Sequence, residues 1–439
     1  VSATLTVTHD AGLQSVAHKV EAGIRLSVED GMTLFSTPDI HGVCRLADRV
    51  RRRMHGDSAY FNINRHLNYS NICALSCSFC AFHRKKDQDG AYEHSLEDIR
   101  TEARRAQESG ATEMHIVGGL HPWLPFSYYT DMLSAIRHEA PRVHIKAFTA
   151  VEIVHLQRIS KRGGQGYLGI KAVLRDLMDA GLGSLPGGGA EVFDDRVHDE
   201  AFKGKIRSDQ WLDVHRAAHE LGLNTNATIL YGHIEERRER LHHMELLRQQ
   251  QDVTLQSWAK AQGIRRAEGA PWLSGADLLQ AAAGVPHIVL SGPDELYPRD
   301  RLPMPGAAGL STGYFQTIIP LPFFPNASAL EHLPGPSGLE NLRTLAVARL
   351  MLDNFPHVKA FWIMQTLPMA QLELQNGADD IDGTVVWYDI TKAVGEGNHQ
   401  ETSVMDLKRA IREAGCQPVE RDTLYRRVVR DGATWQLAE

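Results

Sequence analysis

Cys73, Cys77 and Cys80 stand within eight positions in "NICALSCSFCAF", three of the five cysteines of a 439-residue chain. The C-x3-C-x2-C spacing lets one tight loop aim three soft thiolates at a common centre, which favours zinc or an iron–sulfur cluster. A structural zinc site normally takes four protein ligands, often as two pairs. The chain has no second CxxC pair, and His83 is the only obvious local substitute. Three cysteines on a four-iron cubane leave one iron without a protein ligand, where a small molecule can bind the metal directly. The loop therefore reads as catalytic. Cys44 and Cys416 stand alone and read as plain buried thiols.

Such a loop needs a rigid frame. From residue 60 onward, short apolar runs alternate with amphipathic stretches, the pattern of repeated βα units around a parallel sheet. Strands are predicted at 60–66, 113–119, 143–152, 184–190, 224–232, 314–323, 358–364 and 383–388. Eight strands with interleaved helices predict an α/β fold, a (β/α)8 TIM-type barrel with function at the C-terminal strand ends. The cysteine loop follows the first strand and so falls at that mouth. In "SLEDIRTEARRAQESG" Ser95 caps a helix, Glu97 and Asp98 sit in its positive first turn, and Gly110 ends it. "SDQWLDVHRAAHELG" repeats the logic from Ser208 to Gly222.

The predicted organisation is an N-terminal helical flank over 1–56, the barrel over 57–388 and a C-terminal extension over 389–439 that packs on it. Residues 255–311, rich in Gly, Ala and Pro, interrupt the rhythm as an insertion read as a surface elaboration. Polar residues inside predicted strands are informative because buried parallel strands are usually aliphatic. Asn62, Asn64 and His66 share one face by the two-residue period, as do His144, Lys146 and Glu152. Asp379, Asp380 and Asp382 read as a turn before the last strand.

Composition excludes other classes. Hydrophobic residues are 43% and charged residues 23% of the chain, enough for a large core and an ordinary globular surface. The formal charge of −7 and the spread of Lys and Arg give no reason to expect nucleic acid or anionic lipid. "RVRRR" at 49–53 reads as the solvated face of a helix. No run is long and apolar enough for a membrane span, and the N-terminus lacks a basic region followed by an apolar block, so a cytoplasmic protein with reduced thiols is expected.

The cysteine spacing after a first strand, with Phe79 before the last cysteine, resembles the radical S-adenosylmethionine (SAM) superfamily. That resemblance implies a [4Fe-4S] cluster on Cys73, Cys77 and Cys80 whose open iron chelates SAM. It also implies that reduction of the cluster releases methionine and a 5'-deoxyadenosyl radical. "NRHLNYSNIC", "HIVGGLHPWLPFSYY", "KAFTAVEI", "LPGGGAEVF", "TNATILYGHIE" and "GADDIDGT" narrow it to resemblance with the aminofutalosine synthase family of menaquinone biosynthesis. The likeness runs from about residue 30 to 252 and from 312 to the end, with "SKRGGQGYLG" outside it.

The implied reaction joins SAM, as a consumed co-substrate, to 3-[(1-carboxyvinyl)oxy]benzoate with water. It gives aminodeoxyfutalosine, methionine and bicarbonate, with an electron donor such as flavodoxin or ferredoxin. The alternatives within the superfamily are a dehypoxanthine futalosine cyclase and a deazaflavin precursor (FO) synthase.

By the same resemblance Gly118 and Gly119 match a glycine pair whose backbone approaches the methionine moiety. "PGGGAE" at 186–191 lacks the P-loop ending, which leaves Glu191 as a ribose contact. Glu152 is a second candidate for ribose or amino-group contact. His233, just past the fifth strand, is expected to assist proton steps near neutral pH. Two substrate carboxylates call for cationic or hydroxyl partners, among which Arg65, His66, Lys146 and Thr228 are not ranked.

Overall fold

A computed structural model describes residues 8–162, 164, 166–261, 313–384 and 401–438. Three helices open it: α1 (Ala11–Glu21), α2 (Val28–Ser36) and α3 (Ile40–His55). Each begins on a side-chain cap, at Asp10, Ser27 and Asp39, which satisfies amides that the helix cannot. Arginines from later helices cover the carbonyls at the end of α2, where Arg343 donates to Leu34 and Thr37 and Arg237 to Phe35, and Arg248 donates to Leu26 in the connection before it. The "RVRRR" run lies at the end of α3 but is not a wholly solvated face. Arg51 is fully buried, donating to Asp48 and the Gly56 carbonyl, because its side of the helix faces the chain and not water.

The central strands are β1 (Ser58–Asn62), β2 (Asn64–Leu67), β3 (Glu113–Ile116), β4 (His144–Ala147), β5 (Thr225–Tyr231), β6 (Phe315–Pro322), β7 (His357–Val358) and β8 (Asp380–Gly383). Every pairing among them is parallel. β2 pairs with β3 and β3 with β4, keeping His66, His115 and Lys146 in one register. Lys146 bridges Ser184, Leu185 bridges Thr225, β5 pairs with β6 and β6 with β7, Lys359 bridges Asp380, and β8 pairs with β1. Helices between the strands, such as α4 (Leu96–Glu108) and α5 (Phe126–Glu139), complete an α/β architecture of TIM type. α4 starts on the expected Ser95 cap, as a capping box with Asp98.

Several predicted strands are shorter than expected. The first is two, broken at Ile63: β1 takes the later strand β9 (Gln417–Glu420) as its second partner, whereas β2 takes β3. The third ends at Ala147, and Glu152 sits in the first turn of α6 (Ala150–Ser160). The fourth is reduced to bridges at Ser184 and Leu185, since Pro186 has no amide to donate and three glycines follow. The seventh stops at Val358, and Trp362–Gln365 turn helical. The acidic cluster is not a turn: Asp380 and Asp382 lie within β8, where basic partners absorb their charge. The helix from Ser208 has Arg207 at its N-cap position without a side-chain cap, so Ser208 is its first residue and not the cap.

The C-terminal part supplies α14 (Val404–Glu413), whose Leu407 and Ile411 are buried, then β9 against β1, then the hairpin of β10 (Val428–Asp431) and β11 (Thr434–Leu437). Of the predicted insertion, residues 262–311 lie outside the described residues, as do 385–388 of the eighth predicted strand. The last helix before those residues is α10, Arg237–Ala261.

Candidate active site

The segment after β2 is anchored from several sides. Ile72 bridges Arg84, Cys73 N donates to Arg84 O at 3.0 Å, and Ala74 N donates to Leu120 O at 2.9 Å. The Lys85 ammonium gathers three carbonyls of the loop, those of Cys73, Ala74 and Leu75, at 3.0, 3.3 and 3.1 Å. Phe79 packs edge-on against Phe202 with 5.2 Å between centroids. Thus held, Cys73, Cys77 and Cys80 are unpaired thiols, half-buried, and all three line one cavity of about 310 Å³. Burial pushes the Cys77 thiol up to about 11 and raises Cys80 as well, so ligation of a metal there displaces protons from both. Cys44 and Cys416 are buried elsewhere. His83 also lines the cavity, with Nδ1 2.9 Å from the Cys80 carbonyl.

The donor set fits an iron–sulfur cluster with one open iron. Three thiols face a shared space large enough for a further ligand, and among the described residues no fourth cysteine lines it.

Gly118 and Gly119 follow β3 beside this loop. A Cβ on Gly118 would meet the Tyr69 ring at 2.6 Å, and one on Gly119 would meet the Ile72 carbonyl oxygen at 2.3 Å. The pair is thus required by the approach of the cysteine segment itself, and only Gly118 lines the cavity. Glu152 is the clasp behind them. One carboxylate oxygen accepts from Thr149 N and Oγ1, both at 2.8 Å, and the other from Tyr69 Oη at 2.8 Å and Gly118 N at 3.0 Å. Burial pushes its carboxyl up to about 7 against those four donors.

Glu191 lies at the end of the Pro186–Glu191 loop in the left-handed region, at φ 47°. Its carboxylate pairs with Lys205, and both residues line the cavity. Burial alone would lower the Lys205 ammonium, but Glu191 and Cys77 outweigh it and raise its pKa. Lys205 also lies over the rings of Phe79 and Phe202, 5.2 and 5.9 Å from their centroids.

His233 does not reach this space. Its side chain is fully buried outside the cavity lining, with Nε2 3.1 Å from Leu230 O and Nδ1 3.2 Å from Glu235 Oε2. Burial between Phe202 and Phe323 lowers its pKa. His233, expected to assist proton steps at the mouth, is held within its own loop by Leu230 O and Glu235 and is not among the residues that line the cavity.

Of the four residues considered for substrate carboxylates, Lys146 and Thr228 line the cavity. Arg65 points to Glu102 at 3.1 Å, and His66 stacks behind His115 with 4.6 Å between centroids. Lys205, Lys359 and Asp382 also line it and were not foreseen. One signal was available for Lys359: "HIKAF" at 144–148 and "HVKAF" at 357–361 carry the same pattern on β4 and β7, with the lysine at the same place.

Residues 67–247 match the radical SAM superfamily, and residues 311–431 match the CofH/MqnC C-terminal region. The chain is 37% identical to aminodeoxyfutalosine synthase of Thermus thermophilus over 95% of its length and 96% of that protein. With the Streptomyces coelicolor protein of the same name it is 37% identical over 95% and 94% of the two chains.

The chain belongs to the aminodeoxyfutalosine synthase family of radical SAM enzymes.

A 5-amino-6-(D-ribitylamino)uracil–L-tyrosine 4-hydroxyphenyl transferase of Methanopyrus kandleri is more distant, at 30% over 94% and 96%. Among solved structures, methylornithine synthase (PylB) shares the fold with a TM-score of 0.61 at 15% identity, covering 92% of this chain and 97% of that one. As a member of this synthase family the chain is a radical SAM transferase. No helix among the described residues is long and apolar enough to cross a membrane.

Proposed function

We propose that the cavity joins the adenosyl group of SAM to 3-[(1-carboxyvinyl)oxy]benzoate with consumption of one water, giving 6-amino-6-deoxyfutalosine, methionine and bicarbonate for menaquinone synthesis. The observation that carries this reading is the convergence of three unpaired cysteines, a glycine backbone and a lysine-bearing floor on one cavity. Cys73, Cys77 and Cys80 would hold a [4Fe-4S] cluster. Once bound there and reduced by a donor such as flavodoxin or ferredoxin, such a cluster would supply the electron for cleaving SAM between methionine and the adenosyl group.

The chain's own residues orient and enclose. The Gly118 backbone offers an edge to the methionine moiety, and Glu152 keeps that edge in place by accepting from Gly118 N. Glu191, with Lys205 beside it, takes the ribose hydroxyls, a carboxylate being an acceptor for both. Leu120, Val151, Leu321 and Phe323 wall the space and exclude water from the reacting carbons.

The frame for this chemistry is a closed (β/α)8 barrel over 57–388, with a helical flank at 1–56 and an extension at 389–439 docked on it. Support comes from the parallel pairings and bridges that link each stave to the next. We place the enzyme in the cytoplasm, where the cluster thiols stay reduced.

The test is an anaerobic incubation of reconstituted enzyme with adenosyl-labelled SAM and the enolpyruvyl benzoate. Label in a covalent adduct with the aryl substrate is the expected result. Free 5'-deoxyadenosine as the main nucleoside would overturn the assignment.

A further inference from the structure

Lys146 and Lys359 make the charged floor of the cavity. Lys146 is the third residue of β4, in register with His115 of β3, and Lys359 follows β7 directly and bridges Asp380 of β8. Their side chains are 4% and 3% exposed, yet both line the cavity. An ammonium carries three donors. Here each meets one carboxylate: Lys146 Nζ lies 2.6 Å from Glu113 Oε1, and Lys359 Nζ lies 2.5 Å from Asp382 Oδ1. Donors left over on a desolvated cation are costly unless an acceptor arrives.

The surroundings are short of acceptors. Glu113 does not line the cavity, leaving Asp382 as the anion of this end. Asp382 is held in the left-handed region, at φ 71°, with its amide on Asp380 Oδ1 at 2.6 Å. A non-glycine residue keeps that backbone only where its neighbours over-determine it, a condition that concentrates at ligand-binding sites. Asn226 adds an amide, and the Thr228 hydroxyl is spent on Gly187 O at 2.7 Å. Burial, then the Lys146 charge, keeps the neighbouring His115 neutral.

Depth decides which group the floor can meet. His115 precedes Gly118 by three residues, so at about 3.3 Å of rise per residue the floor lies roughly 10 Å below the glycine-bearing mouth. The substrate has a carboxylate at each end of its skeleton. The one on the enolpyruvyl carbon must stay beside the methylene that receives the adenosyl group, at the cysteine end. The one on the ring is carried away from it.

Resting on the function proposed above, we propose that Lys146 and Lys359 together bind the ring carboxylate of the substrate and make the enzyme reject aryl ethers that lack it. Glu113 and Asp382 hold the two ammonium groups in place before the substrate arrives. The repeated "HxKAF" segments on β4 and β7 deliver the lysines to one layer from separate staves.

Calorimetric binding to the cluster-loaded enzyme tests this, using 3-[(1-carboxyvinyl)oxy]benzoate and its analogue without the ring carboxylate. The wild type should prefer the benzoate by on the order of 10,000-fold, as a site built for a buried polar group does. The variant Lys359→Gln/Asp382→Asn removes opposite charges together, leaving neither buried alone, and should bind both compounds with the weaker affinity. Lys359→Arg, which keeps the charge but alters its reach, should cut the preference by about tenfold and serves if the double variant does not fold.

A wild type without preference, or a folded variant that retains it, overturns the inference. Lysine-dependent binding without formation of a nucleoside adduct would leave it standing and overturn the proposed reaction instead. Failure of the wild type to bind either compound overturns both.

Discussion

The Glu152 carboxylate accepts from the Gly118 amide at 3.0 Å, so a residue in the first turn of α6 fixes the backbone at the end of β3. Two neighbouring βα units are thereby locked where the cysteine loop passes over them.

That clasp carries a pH signature. Burial raises the folded-state carboxyl of Glu152 to about 7, above its ordinary value. A raised carboxyl contributes stability that is complete below the unfolded pKa and is lost as pH rises through the folded one. The Glu152 contribution should therefore decline between about pH 4.5 and 7. In Glu152→Gln the amide nitrogen would confront donors, costing about 1–3 kcal/mol. Urea unfolding across that pH range checks both: the variant should be less stable and should lack this part of the wild-type slope.

Replacing Cys73, Cys77 or Cys80 by alanine should abolish bound iron, labile sulfide and turnover together. Cys416→Ala should leave all three near wild type, because that thiol is buried behind α14, away from the cavity. Anaerobic iron and sulfide analysis after reconstitution decides it. An iron-replete, active Cys77→Ala protein would contradict the ligand assignment.

Lys205 and Glu191 form a pair whose side chains are 9% and 10% exposed. Removing one partner strands the other charge, a loss on the order of 3–5 kcal/mol for a buried pair. Lys205→Met should lower the midpoint of chemical unfolding, and Lys205→Met/Glu191→Gln should recover most of the loss. If the pair also holds the ribose, the KM for SAM should remain raised in the recovered double variant.

His233→Gln should retain turnover within a few-fold, since the ring contacts Leu230 O and Glu235 and does not line the cavity. Its effect should fall on thermal stability. A loss of kcat by orders of magnitude, with the fold intact, would return His233 to the reaction.

Local grammar makes much of the frame legible in the sequence. Ser95 and Asp98 announce the start of α4, and the alternation of apolar runs with amphipathic stretches marks the parallel strands. Strand ends were less legible. Glu152 continues a polar alternation along "HIKAFTAVE" yet belongs to a helix, because Thr149 caps α6 and closes a box with it. The buried acidic residues of β8 looked like a turn, since the basic partners that make Asp380 and Asp382 tolerable, Arg421 and Lys359, are remote or in another stave.

From the order of residues alone came the three thiols and their spacing. These are local facts, governed by a few covalent bonds and one loop. Which lysines share a floor, which histidine is sealed away and which carboxylate clasps an amide were decided only when distant strands paired. Burial, charge compensation and the direction of each side chain depend on neighbours that are far off in the chain, and those neighbours exist only in the folded molecule.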